Sequence, residues 1–223
     1  MKIKLINKTG SSELLLFFNG WSMDDKPFRH LSAGIDILMF YDYSNLANIA
    51  EIAALVNSYK TVSISAWSLG VYAAAELLNG YDFGFQSATA INGTLSPIAP
   101  DNGIPPETFQ ATIDAWSEPA QKRFTRRECS AKYYEFFQKN APERSVEDQK
   151  HELIELQKRI LLEPEQGNIF KTAVISSGDK IFPPVNQHSA WAQQKIEVNE
   201  IDEPHYFFAS LQRWEEVRDL GKT

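Results

Sequence analysis

Seven short runs rich in β-branched and aromatic residues recur along the chain: 2–7, 13–18, 36–41, 61–66, 87–92, 171–176 and 196–201. Runs of this length and composition predict strands. Several of them, 13–18 among them, are nearly continuous in apolar residues, which suits strands covered on both faces of a parallel sheet. Lys2-Ile3-Lys4-Leu5 instead alternates, as a half-exposed edge strand does. Between them, 46–58, 69–79 and 186–194 carry helical spacing, with Gly80 where a C-terminal cap is expected. Strand and helix alternate, so the class is α/β with a mostly parallel sheet flanked by helices.

From 95 to 168 the alternation stops. Amphipathic segments at 106–116, 118–139 and 143–162 follow one another without a convincing strand, after an entry stiffened by Pro97, Pro100, Pro105 and Pro106. The chain therefore divides into one core, residues 1–94 and 169–223, and an inserted helical lid, residues 95–168. At 223 residues and 43% hydrophobic content it is long enough to bury a single large core.

Charge and cysteine usage narrow the function. A formal net charge of −7 argues against a surface built to neutralise phosphates, so nucleic acid is not an expected partner. Cys129 is the single cysteine, which excludes an intrachain disulfide and a cysteine-rich metal site and suits a reducing compartment. The early apolar stretch Leu14–Phe18 is far shorter than the roughly 20 residues that span a bilayer. Polar residues 7–13 interrupt any leader core, so the expected setting is the cytoplasm, away from membranes.

The chemistry begins at Ala66-Trp67-Ser68-Leu69-Gly70, where a buried strand meets a helix of small residues. A sharp strand-to-helix turn with little bulk on either side lifts a serine out of the sheet, in the manner of a nucleophile elbow. Taken alone, Ser68 reads equally as a helix N-cap. It gains meaning only with a base, because a serine hydroxyl is a weak nucleophile at neutral pH. Of four histidines, His205 lies in the loop after the last strand and before a C-terminal helix. His30 comes too early in the chain, and His151 and His188 read as solvated. Asp179, in Ser177-Gly178-Asp179-Lys180, follows the end of an apolar strand and is the expected orienting acid. Asp202 is a rival that stands only three residues before His205. The order Ser68, Asp179, His205, each at a strand end, is the reading of a catalytic triad on an α/β-hydrolase fold. The amide of Leu69 and that of Trp21, in Asn19-Gly20-Trp21, are the expected donors to a developing oxyanion.

Further motifs carry a family resemblance over nearly the whole length. With those above, Phe17-Phe18-Asn19-Gly20-Trp21-Ser22-Met23-Asp24, Phe40-Tyr41-Asp42-Tyr43, Ala90-Ile91-Asn92-Gly93-Thr94, Asp179-Lys180-Ile181-Phe182-Pro183 and Pro204-His205-Tyr206 resemble the BioG-type pimeloyl-acyl-carrier-protein methyl ester esterases. The resemblance implies hydrolysis of the methyl ester capping a carrier-bound pimeloyl chain in biotin synthesis, with release of methanol and with no metal or other cofactor. It also implies an acyl carrier protein as partner, met by basic residues of the lid. Lys122, Arg123, Arg126, Arg127 and Lys132 fall within eleven residues, against Glu128 as the one acid, although Glu143, Glu147, Asp148, Glu152 and Glu155 make the next segment acidic. Tyr133, Tyr134, Phe136 and Phe137 read either as an acyl channel or as lid core. A thioesterase or small-ester carboxylesterase on the same scaffold, a non-catalytic receptor and a cofactorless lyase are the competing readings.

Overall fold

The computed structural model describes residues 1–81 and 83–222, so Thr223 at the end of the expected core segment lies outside them. Seven strands, β1 (Lys2–Asn7), β2 (Glu13–Phe18), β3 (Asp36–Tyr41), β4 (Thr61–Trp67), β5 (Ser87–Ile91), β6 (Thr172–Ser176) and β7 (Glu197–Ile201), form one sheet in the order β1-β3-β2-β4-β5-β6-β7. Only β1 runs antiparallel, against β3; the other neighbours are parallel. This is the expected α/β-hydrolase sheet.

The continuous apolar runs have the predicted consequence. Leu14, Leu16 and Phe18 of β2 pack into one core layer with β4 and α2 (Gly70–Leu78), whose Ala73, Ala74 and Ala75 let the helix lie close on the sheet. Leu15 and Phe17 point to the other face, where Phe17 meets Phe28, Phe208 and Trp214 edge-on. Each such side chain contributes roughly 1.5–3 kcal/mol on burial, so β2 anchors both layers. The edge strand departs from expectation: Lys2, Ile3, Lys4 and Leu5 are all exposed at the end of the sheet. Lysines at 2 and 4 discourage a further strand from pairing with that edge.

The helical boundaries differ from the spacing where a cap sits. α1 spans only Ile49–Val56, because Asn48 caps it by accepting from the Ala50 amide, leaving Leu46 outside. Between β5 and β6 lie α3 (Pro106–Ala115), α4 (Glu118–Lys139) and α5 (Val146–Leu162), without a strand. Ser145 caps α5 through the Asp148 amide, so residues 143–145 lead into the helix. Within α4, Ser130 adopts φ 51 and breaks the helix into two arms; its Oγ accepts the Lys132 amide and restarts the second. α6 (Pro184–Gln194) precedes β7, and α7 (Trp214–Asp219) ends the fold. Among the described residues no helix is long and apolar enough to cross a membrane.

Candidate active site

At the end of β4 the chain turns through Ser68 with φ 59, a left-handed conformation that is disfavoured by roughly 1–2 kcal/mol for a residue with a Cβ. Two neighbours hold the turn. The Ser68 amide donates to the Ile91 carbonyl at 2.9 Å, and Gly93 allows its backbone to approach: a Cβ there would lie 2.3 Å from the Ser68 carbonyl oxygen. Ala66, where a glycine would be usual, is buried without conflict in the α2 layer.

His205 Nε2 lies 3.0 Å from Ser68 Oγ, and His205 Nδ1 lies 2.7 Å from Asp179 Oδ2. All three residues are buried. A carboxylate only accepts, so the Nδ1 proton faces Asp179 and Nε2 is left to accept from the Ser68 hydroxyl. Asp179 is itself fixed: Oδ1 accepts the amides of Ile181 and Phe182 at 2.7 and 2.9 Å, and Oδ2 accepts Gln187 Nε2 at 3.0 Å. The His205 loop is held by its carbonyl, which accepts both Trp67 Nε1 and Asn92 Nδ2. Gly178 permits that loop to pass close, since a Cβ would sit 2.9 Å from the Glu203 carbonyl.

Trp21 and Leu69 line the same small cavity as Ser68, about 30 Å³, together with Ile104, Phe109, Thr112, Phe124, Glu128, Leu153 and Ile181. Among the described residues neither the Trp21 nor the Leu69 amide donates to any protein acceptor. Free N–H groups beside a serine are what a developing oxyanion requires. α3, α4 and α5 contribute Phe109, Phe124 and Leu153 to the apolar wall, and the cavity holds little more than water as it stands.

The basic residues do not form a single cluster. Arg123, Arg126 and Arg127 line an open groove of about 720 Å³ between α3 and α4, and this groove shares Thr112 and Phe124 with the Ser68 cavity. Lys122 faces a separate cavity of about 420 Å³. Lys132 is already engaged, its Nζ 2.7 and 2.8 Å from the two carboxylate oxygens of Glu203. Of the four α4 aromatics expected as channel or lid core, Tyr133 and Phe137 are buried in the layer that holds Tyr206, and none of the four lines the Ser68 cavity; Phe109 and Phe124 do.

Several site residues carried no usable sequence signal. Gln187 reads as an ordinary helix polar and Asn92 as one residue of the 90–94 motif with no role attached, yet both are buried, Gln187 donating to Asp179 and Asn92 to the His205 carbonyl. Glu128, counted as the acid diluting the basic run, is buried beneath it. Among the described residues its carboxyl receives no hydrogen bond; burial, reinforced by the charge of Asp179, pushes it well above the usual glutamate range. The exposed face of α4 is thus more basic than its composition. Glu152, read as part of an acidic surface, is fully buried; burial raises its carboxyl while Arg144 pulls it back.

Residues 1–217 match the family described as pimeloyl-ACP methyl esterase BioG. The solved structure of BioG from Haemophilus influenzae superposes with a TM-score of 0.88 at 33% identity, covering 98% of this chain and all of that one. A malonyl-[acyl-carrier protein] O-methyltransferase of Bacteroides fragilis is 37% identical over 87% of this chain, which spans only 39% of that protein's length. An esterase from Thermogutta terrifontis, 13% identical with a TM-score of 0.61 over 98% of this chain and 90% of its own, shares the fold. The matched span and the Haemophilus relative together place the chain in the BioG family.

Proposed function

We propose that this protein is a cytoplasmic serine carboxylesterase that hydrolyses the methyl ester of pimeloyl-acyl carrier protein in biotin biosynthesis, with Ser68, His205 and Asp179 as its triad. The observation that carries the reading is the continuous buried relay Asp179–His205–Ser68 facing two unengaged amides. Ser68 Oγ attacks the ester carbonyl as His205 Nε2 takes its proton. The tetrahedral oxygen forms between the Trp21 and Leu69 amides. His205 then returns the proton to departing methoxide, and methanol leaves. Water, deprotonated by the same imidazole, attacks the pimeloyl-Ser68 ester and frees the distal carboxylate.

Residues 95–168 act as the lid over the core segments 1–94 and 169–223 in this reading. Their side chains wall the narrow Ser68 cavity, so an acyl chain enters by parting them. The groove of Arg123, Arg126 and Arg127, contiguous with that cavity through Phe124, supports docking of an acidic carrier. Lys122 lies nearby, whereas the Glu203 pairing of Lys132 withdraws it from that task.

The test is methanol release by wild type and Ser68→Ala, with the pimeloyl methyl ester supplied on the carrier and as a free ester. Activity that requires Ser68 and favours the carrier-bound form is expected. Undiminished turnover by Ser68→Ala refutes the triad, and Ser68-dependent cleavage of free esters alone replaces this reading with a small-ester carboxylesterase.

A further inference from the structure

The loop bearing the Trp21 amide is not held by the core alone. Glu152, on α5 of the insertion, is fully buried, and both its carboxylate oxygens are used on segments distant in sequence. Oε2 accepts the Ser22 amide at 3.2 Å, next to Trp21, while Oε1 accepts the Tyr43 amide at 2.9 Å. The Tyr43 hydroxyl in turn donates to the Asn19 carbonyl at 2.7 Å. One carboxylate therefore fixes the chain on both sides of Gly20-Trp21, directly at Ser22 and through Tyr43 at Asn19. Arg144, also on the insertion and nearly buried, keeps this carboxylate in place from 2.5 Å and reaches Asp42 at 3.2 Å.

Two further bonds from α5 act on Trp21 and Ser22. The Trp21 indole N–H donates to the Gln149 carbonyl at 2.7 Å, and Gln149 Nε2 donates to the Ser22 carbonyl at 3.4 Å. Ser22 sits at φ 71, a conformation that persists only where its surroundings over-determine it. A single aliphatic side chain at 152 would leave two buried amides without acceptors, so the site is built for a carboxylate.

We infer that Glu152 is a positioning residue for ester hydrolysis, holding the Trp21 amide at the oxyanion position from the insertion, so that the oxyanion hole is complete only while α5 is docked on the core. This rests on the triad reading of the preceding section. Glu152 touches no substrate; it acts through the Asn19–Ser22 loop. Its effect belongs to the transition state, because the aim of one N–H matters most when charge develops on the carbonyl oxygen.

The test is Glu152→Gln, which keeps size but turns one acceptor into a donor facing either the Tyr43 amide or both the Ser22 amide and Arg144. With p-nitrophenyl butyrate, which needs no carrier, kcat should fall about 10- to 100-fold, below the 10²- to 10³-fold of losing a donor outright. KM should stay within about threefold. Inhibition by butylboronic acid, whose adduct on Ser68 places an oxygen in the oxyanion hole, should weaken by the same factor as kcat. Unchanged kcat and boronate affinity in the folded variant overturn the inference. So does a loss carried by KM with boronate affinity intact, which assigns Glu152 to general packing. If the variant does not fold, amide exchange in the wild type decides: a Ser22 amide protected like that of Tyr43 supports the clamp, and a freely exchanging one overturns it. Failure of boronate to bind wild type, or turnover by Ser68→Ala, refutes the triad instead.

Discussion

Gly70 opens α2 directly after the Ser68 turn, and replacing it with alanine should damage both stability and rate. A Cβ at this position would lie 2.3 Å from the Asn19 carbonyl oxygen and 2.5 Å from that of Phe18. Ordinary contact begins near roughly 3.5 Å, so about 1 Å must be found by moving backbone. Neither obstacle is a flexible side-chain tip: both belong to the end of β2 and the start of the Trp21 loop. Overpacking of this kind costs about 1–3 kcal/mol, and against backbone on both contacts the upper end applies. The helix propensity gained over glycine offsets at most about 1 kcal/mol. A net loss of about 2 kcal/mol lowers Tm by roughly 4–8 °C in a chain of this size. The same displacement moves the Trp21 amide relative to Ser68, and a 1 Å misplacement of catalytic parts costs about 10²-fold in rate. Gly80→Ala is the control. Its φ of +80 makes alanine strained by roughly 1–2 kcal/mol, but no atom lies within 4 Å, so it should lose stability and keep kcat. Thermal unfolding and kcat on a small chromogenic ester read both effects. Full kcat in Gly70→Ala would refute the steric coupling between the elbow and the loop.

Asp179→Asn should lower kcat about 10⁴-fold with KM little changed. Its amide NH₂ turns the Nδ1 proton of His205 away, leaving Nε2–H facing Ser68, while Gln187, whose Nε2 faces this position, accepts from it by turning its amide to present Oε1, which has no partner among the described residues. A loss below 100-fold would refute the tautomer argument. Glu128→Gln tests the buried acid by pH. The folded carboxyl titrates above its unfolded value, so the folded state holds an extra proton between the two. Wild-type stability is therefore full below the ordinary glutamate range and declines as pH rises through the raised value, by about 1.4 kcal/mol for each pH unit that separates the folded and unfolded titrations. Glutamine lacks this dependence, so the Tm of Glu128→Gln relative to wild type should be higher at pH 8 than at pH 5; a pH-independent difference would refute it.

What was legible along the chain were features whose cause is local. The seven runs became the seven strands within a residue or so at either end, and where a strand is buried on both faces, as over 13–18 and 36–41, it carries a continuous apolar signature that needs no knowledge of neighbours. The elbow was equally local, since Ser68-Leu69-Gly70 carries the steric requirement of the turn in its own composition. Features caused by distant contacts were not legible. The α4 break is an example: 118–139 reads as one amphipathic helix, yet it opens at Ser130, where the freed Glu128 carbonyl accepts the Tyr206 amide beside His205. Burial of charge was likewise hidden. In sequence, Glu152 is one acid in an acidic run, indistinguishable from exposed Glu147.

These hidden features share a pattern. In the proposed reading, Ser68 and His205 are placed through rules that each strand end obeys alone, whereas residues 95–168 grip the loops of Trp21 and His205 through contacts no local rule announces. α5 holds Asn19–Ser22 through Glu152 and Gln149, while α4 holds the His205 loop through the Glu128 carbonyl and the Lys132 and Tyr133 bonds to Glu203. A segment that only shielded the pocket would need apolar contacts and nothing more. Instead, hydrogen bonds from Glu152, Gln149, Glu128, Lys132 and Tyr133 of residues 95–168 run to the segments flanking Trp21 and His205. Truncating 95–168 should therefore abolish acyl transfer even to small esters that need no carrier, because it removes the supports that aim the site as well as its roof.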